Sequence, residues 1–141
     1  MFGYVKVGAA VPRLRLADCT YNKEQIIEMA KDAAAKGVRV LTFPELCITG
    51  YTCADLFMQR PLLIDAEKCV KAIAEETKDL DLFFVIGTPV MLDSQQFNCA
   101  AAFYKGEILG LVPKTHLPNY SEFAEERWFS SADDILVDRI N

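Results

Sequence analysis

The beginning of the chain alternates between a short apolar segment, a helix-length segment and a second short apolar segment. Residues 5–12, VKVGAAVP, predict a strand that ends at its proline, and residues 38–43, VRVLTF, predict a buried strand. Between them, apolar residues recur at helical spacing over 23–36, where Asn22 suits the N-cap and Gly37 the end of the helix. A strand, a helix and a strand in this order predict a βαβ unit with a parallel sheet, and therefore an α/β fold.

The middle of the chain predicts one more crossover and then a hairpin. Residues 52–58 suit a short helix, and Pro61 can occupy the first turn of a longer one. Residues 82–90 predict another buried strand. Residues 97–104 and 107–112 then predict a hairpin, because the two residues between them, Lys and Gly, suit a tight turn.

The last part of the chain is irregular. After Pro113 it is rich in aromatic residues, which indicates a loop that packs on the core or lines a site. Residues 135–141, ILVDRIN, predict the opening of a further strand, so we expect residues 1–141 to be the N-terminal part of a longer domain.

Composition excludes several classes of protein. The net charge is −5 and no Lys/Arg cluster is interleaved with aromatic residues, which argues against a nucleic-acid partner. No segment approaches transmembrane length and no signal peptide is visible, so we expect no membrane partner. The five cysteines have irregular spacing and only one histidine accompanies them, which argues against a metal site and indicates thiols in the reducing cytoplasm.

Two charged residues follow the ends of predicted strands. Glu45 comes directly after strand 38–43, at the edge of an α/β sheet where ligands bind, and its apolar neighbours are expected to shield it from water as suits a general base. Lys114 follows the last strand of the hairpin, where a fixed positive charge can stabilise an oxyanion. A solvated loop glutamate and an ordinary exposed lysine are the alternatives.

Two motifs carry a resemblance to a known family. The segments FPELCITGY, 43–51, and PKTHLPNYSEFAEERWF, 113–129, resemble two motifs of the nitrilase superfamily in their residues, order and spacing. The chain resembles in particular the glutaminase (amidohydrolase) domain of glutamine-dependent NAD synthetases, from its first strand to RWF. The resemblance implies a four-layer α-β-β-α sandwich, of which this chain would be an incomplete part with an apolar sheet face and open edges.

The resemblance also implies a Glu-Lys-Cys triad. Glu45 matches the general base and Lys114 the lysine that stabilises the oxyanion. The nucleophilic cysteine belongs to a later motif, and none of the five cysteines here matches it, not even Cys47 beside the base. Four residues match positions around the substrate glutamine, although the last could shift by one to Glu126: Tyr51, Tyr120, Phe123 and Glu125. His116, after the lysine, is read as a structural loop histidine.

The implied reaction is hydrolysis of glutamine to supply ammonia for the ATP-dependent amidation of deamido-NAD. ATP, Mg and deamido-NAD are expected only in a separate synthetase domain, because this chain has no glycine- and serine-rich phosphate loop, and no cofactor is expected here. The expected partners are glutamine, the C-terminal remainder of the same protein and further copies in a homo-oligomer. Two alternatives stay open: a piece of a free-standing nitrilase-family amidase, and a non-catalytic assembly module.

Overall fold

A computed structural model describes residues 3–135 of the chain. Two helices and one five-stranded sheet form the fold, in the order β1 Val7–Ala9, α1 Cys19–Ala35, β2 Val40–Thr42, α2 Arg60–Glu76, β3 Phe83–Leu92, β4 Gln95–Tyr104 and β5 Glu107–Pro113. Three 3₁₀ turns cover Ala54–Met58, Glu125–Arg127 and Ala132–Asp134. The strands are arranged in chain order, β1 and β2 parallel to β3, and β4 and β5 antiparallel to their neighbours. The predicted βαβ unit and mixed α/β fold are confirmed.

The start of α1 differs from the prediction. The capping residue is Asp18, whose Oδ1 accepts a hydrogen bond from the main-chain N–H of Tyr21 at 3.0 Å. Asn22 is instead fully buried inside the helix, where its amide donates to the carbonyls of Arg15 at 2.8 Å and Ile48 at 3.0 Å. Both residue types cap helices well, so the choice between them depends on this distant contact with Ile48.

The first two strands are shorter than predicted, at Val7–Ala9 and Val40–Thr42, and the remaining elements follow the prediction closely. Pro61 lies in the first turn of α2, and Lys105 and Gly106 form the β4–β5 turn with φ of +48° and +84°. A second two-residue turn, Asp93 and Ser94, joins β3 to β4, and both strands extend further towards it than predicted. The strand predicted for 135–141 falls almost entirely outside the described residues.

The helices cover one face of the sheet. Ile26 of α1 and Ile73 of α2 are fully buried with Leu41, Phe84 and Phe103 of the sheet. The rings of Phe84 and Phe103 stack with their centroids 4.9 Å apart. Burying one such side chain stabilises the fold by about 1.5–3 kcal/mol, so this face holds the main core. Within residues 3–135, neither α1 nor α2 has the length and apolar character that crossing a bilayer requires.

The opposite face of the sheet is apolar and open. The strand register places Val7, Val40 and Val112 on this face, and they are 67, 38 and 66% exposed. Their strand partners Phe83 and Ala100 are only partly buried. A flat row of small and β-branched side chains is typical of a sheet that packs on another sheet. The predicted uncovered apolar face is therefore present in the described part of the chain.

Candidate active site

A tight turn after β2 positions Glu45. The turn passes directly over Gly87 of β3, so closely that a β-carbon at Gly87 would lie 2.1 Å from the main-chain nitrogen of Leu46. Leu46 adopts a positive φ of +50°, and the N–H of Ile48 donates to the carbonyl of Gly87 at 3.2 Å. The absence of a side chain at Gly87 is thus what allows the main chain of Glu45 to lie on the sheet.

Lys114 follows β5 and contacts Glu45, which follows β2. Its main-chain N–H donates to the carbonyl of Asn98 in β4 at 2.8 Å. Its Nζ lies 2.7 Å from Glu45 Oε1 and 3.0 Å from both carboxylate oxygens of Glu125. The predicted convergence of Glu45 and Lys114 is confirmed. Partial burial lowers the pKa of Lys114, but hydrogen bonds and charge from Glu45 and Glu125 outweigh it, so the pKa lies above its ordinary value.

Glu125 is the buried acid of the cluster. It is 2% exposed and begins a 3₁₀ turn, where its N–H donates to the carbonyl of Pro118. The hydroxyl of Tyr51 donates to Glu125 Oε1 at 2.6 Å. Burial and this bond to a carboxylate both raise the pKa of Tyr51. Glu126 is exposed and accepts from Asn119, so the glutamate beside the lysine is Glu125 and not its neighbour.

A polar and aromatic clamp anchors the loop that carries Glu125. Arg127 donates to both carboxylate oxygens of Asp55 at 2.7 and 2.9 Å, and the indole N–H of Trp128 donates to Asp55 at 2.9 Å. These bonds hold the pKa of Asp55 well below its usual range. The rings of Trp128 and Phe129 pack against Phe57. Trp128 and Phe129 therefore pack this loop on the fold.

Three aromatic rings lead outward from Glu125. Tyr51 and Phe123 meet edge to face with their centroids 6.4 Å apart, and Phe123 and Tyr120 meet in the same way at 5.9 Å. Tyr120 is 68% exposed and ends the row at the surface. The four residues predicted around glutamine thus lie in one continuous group. His116 is exposed and makes none of the hydrogen bonds of this cluster.

Two features of the site differ from the prediction or were missed by it. The side chain of Glu45 is 41% exposed, so the prediction that its apolar neighbours shield it from water is wrong. It is held by Lys114 and by the amide of Asn98, which donates to Glu45 Oε1. Asn98 is 4% exposed and was not predicted as a site residue. The sequence feature that could have indicated it is a polar amide inside the apolar strand FNCAAAFY, 97–104.

The cluster opens into a cleft on the uncovered face of the sheet. The cleft has a volume of about 340 Å³, and Glu45, Asn98 and Lys114 line it together with Thr42 and Val112. A larger cavity of about 760 Å³ lies between α2 and the β3–β4 hairpin. It contains none of the residues of the Glu45 cluster, so the smaller cleft is the candidate active site.

The five cysteines, all among the described residues, are poorly suited to act as a nucleophile. Each is buried and carries a free thiol. Burial raises the pKa of Cys47 and Cys99 to about 12, whereas nucleophilic cysteines have lowered pKa values and access to substrate. Cys47, although two residues from Glu45, is 0% exposed, with its thiol against the carbonyl of Gly87. The cluster therefore supplies a carboxylate and an ammonium without a thiolate.

Comparisons with known proteins agree with this geometry. A sequence profile of the family described as Carbon-nitrogen hydrolase matches residues 6–139. A solved glutamine-dependent NAD(+) synthetase from Cytophaga hutchinsonii superposes with a TM-score of 0.85 at 29% identity, over 90% of this chain and 22% of that one. An amidase from Nesterenkonia sp. has the same fold, with a TM-score of 0.70 at 22% identity over 87% of this chain and 47% of that one. The nitrilase-type α/β fold is confirmed.

A curated relative adds the sequence match. The glutamine-dependent NAD(+) synthetase of Mycobacterium leprae is 35% identical over 132 residues, which are 94% of this chain and 19% of that protein. The chain spans about a fifth of the length of such relatives. Because the family profile matches nearly the whole chain, the protein belongs to the carbon-nitrogen hydrolase family.

Proposed function

We propose that this chain supplies the base and the lysine of the glutamine-hydrolysing unit of a glutamine-dependent NAD synthetase. The observation that carries the proposal is the contact of Lys114 Nζ with the buried Glu125 and with Glu45, which lines the cleft on the open sheet face together with Lys114. The curated relatives from Mycobacterium leprae and Thermotoga maritima, 35% and 34% identical, are named as such synthetases, which supports the choice of substrate. The free buried thiols fit a reducing cytoplasm.

The chemistry proposed for the cleft is acyl transfer through a cysteine supplied by the remainder of the protein. Glu45 accepts the thiol proton, and the sulfur bonds to the carboxamide carbon of glutamine. The carbonyl oxygen becomes an oxyanion, which the ammonium of Lys114 stabilises, an effect typically worth about 3 kcal/mol. The C–N bond then breaks, and the nitrogen takes the proton from Glu45 and leaves as ammonia.

The second half of the reaction uses the same base. A water molecule gives a proton to Glu45 and its oxygen attacks the thioester carbon. The C–S bond breaks, the sulfur regains the proton and glutamate is released. We propose that Tyr51, Tyr120 and Phe123 form the wall against which glutamine lies, and that Glu125 holds Lys114 from behind. Binding of ATP, Mg and deamido-NAD is assigned to a separate synthetase domain and not to this chain.

Ammonia release from glutamine tests the proposal. We expect none from the 141-residue chain, because acyl transfer needs a thiolate. We expect turnover from the full-length protein, meaning the complete product of the gene that encodes this chain, and loss of it in Glu45→Ala and Lys114→Met. Turnover by the 141-residue chain that Cys47→Ala abolishes would show that Cys47 is the nucleophile. A gene product of 141 residues, or a folded full-length protein without glutaminase activity, would contradict the proposal.

A substrate panel separates the synthetase from a free-standing amidase. Glutamine-dependent formation of NAD from deamido-NAD and ATP is expected only of the synthetase. Hydrolysis of simple aliphatic amides without that coupling would favour the amidase, and absence of all hydrolysis with normal folding would favour an assembly module.

A further inference from the structure

A buried amide lies between the two charged residues of the cleft. Asn98 lies in the middle of β4, opposite Pro89 of β3, and is 4% exposed. Its side-chain nitrogen donates to Glu45 Oε1, and its main-chain carbonyl accepts from the N–H of Lys114 at 2.8 Å. One residue is therefore bonded both to the glutamate and to the lysine, which are 69 positions apart in sequence.

The chemistry of this contact fixes the orientation of the amide. A carboxylate offers only acceptors, so the NH₂ group of Asn98 must point towards Glu45. Lys114 donates to the same oxygen, Oε1. Two donors on one oxygen leave Oε2 of Glu45 without a described hydrogen bond, and this is the oxygen available to take a proton.

The need for a second restraint follows from the exposure of Glu45. Its side chain is 41% exposed, and an exposed glutamate loses considerable rotamer freedom when it is held in one geometry. Lys114 gives one restraint, from a flexible side chain whose ammonium also contacts Glu125. The amide of Asn98 gives a second restraint, from a strand whose backbone is held at Asn98 by pairing on both sides.

We propose that Asn98 is a positioning residue that directs Oε2 of Glu45 towards the proton that it removes. This inference rests on the proposed role of Glu45 as a base. Because the direct bond between Asn98 and Lys114 joins their main chains, a change of the Asn98 side chain keeps that bond and acts first on Glu45.

The test uses the full-length protein and two substitutions. Asn98→Ala removes the donor, and Asn98→Asp keeps the shape but replaces the donor with a second acid. We expect both to lower kcat for glutamine about 10- to 100-fold with KM changed less than about threefold, because displacement of a catalytic group by about 1 Å can cost a hundredfold. The matched control is Gln96→Ala, a buried amide two residues away whose Nε2 has no hydrogen-bond partner in the described structure. It should leave kcat within about threefold.

A second readout identifies the route through Glu45. Alkylation of the nucleophilic cysteine by a haloacetamide, followed by mass spectrometry, reports thiol deprotonation without glutamine. Asn98→Ala should slow alkylation in the wild-type background and have no further effect in Glu45→Ala. The proposal would be overturned if Asn98→Ala slowed alkylation equally in the wild-type and Glu45→Ala backgrounds. It would also be overturned if the substitutions at Asn98 changed only KM, if Asn98→Asp kept full activity, or if Gln96→Ala lost as much kcat as Asn98→Ala. A further outcome is that the wild-type protein fails to hydrolyse glutamine while Asn98→Ala still slows alkylation only when Glu45 is present. That pair of results would contradict the proposed substrate and leave the positioning role intact.

Discussion

Lys114 Nζ lies 3.0 Å from each carboxylate oxygen of Glu125, and a further hydrogen bond from Nζ is directed to Glu45. The two oxygens of one carboxylate lie too close together to take two separate N–H groups of an ammonium, so Glu125 shares one donor between them. Because an ammonium has three donors, one remains after the bonds to Glu125 and Glu45. We therefore expect an oxyanion to bind at this third donor while Lys114 keeps its contacts with both glutamates.

Replacement of Glu125 should destabilise the chain. In Glu125→Ala, Lys114 keeps only Glu45, and the hydroxyl of Tyr51 loses its acceptor. Leaving such partly buried groups unsatisfied costs about 1–3 kcal/mol of unfolding free energy, measured by urea denaturation. Glu126→Ala is the control, because that exposed side chain should contribute less than about 0.5 kcal/mol. Equal losses in the two variants would contradict the assignment of Glu125 as the buried acid.

A methyl group at Gly87 should displace the base. The added carbon of Gly87→Ala would meet the main chain of Leu46 at 2.1 Å, and neither backbone can move freely. We expect a loss of about 1–3 kcal/mol in unfolding free energy and, in the full-length protein, a fall in kcat of at least about tenfold. Gly110→Ala is the matched change, since a β-carbon there meets nothing within 4 Å. A Gly87→Ala protein as stable and active as Gly110→Ala would show that the turn tolerates the shift.

Tyr51 should keep its proton to unusually high pH. A raised pKa in the folded state means that the contribution of the protonated group to stability is complete below the unfolded value of about 10 and is lost as pH rises through the folded value. Lys114 shifts in the same direction. Tyrosinate absorbance during alkaline titration should show a late-titrating fraction that Tyr51→Phe removes. Tyr4→Phe, at a 96% exposed position, should leave that fraction in place.

The open sheet face should cause the chain to self-associate. Val40 and Val112 lie on this face, and an exposed apolar sheet surface favours association with another surface. Light scattering after size-exclusion chromatography should detect dimers or larger species of the 141-residue chain. The double change of Val40 and Val112 to lysine should reduce them, and Met58→Lys, which alters an exposed apolar residue of the Ala54–Met58 turn, should not. A monomer at all concentrations would contradict this expectation.

Local sequence patterns predict the parts of the site that follow strand ends, whereas Tyr51, Tyr120, Phe123 and Glu125 are predicted only through the family resemblance. Glu45 and Lys114 could be found from strand ends, because the pattern of apolar segments marks where each strand stops. Asn98 could not, because alternation along a strand says which residues share a face but not that the face holds a site. Gly87 looked like one more residue of an apolar strand, and its role depends on a turn in another part of the chain. Long-range contacts of this kind decide the details that local patterns leave open.

The separation of Glu45 from Lys114 also affects the growing chain on the ribosome. The two residues are 69 positions apart. At synthesis rates of about 5–20 residues per second, roughly 3–14 s pass between their incorporation. The β4–β5 hairpin that brings the lysine forms within about 1–10 μs once it has emerged. The nascent chain therefore carries Glu45 without this ammonium for seconds, whereas the hairpin that carries Lys114 forms within microseconds of its emergence.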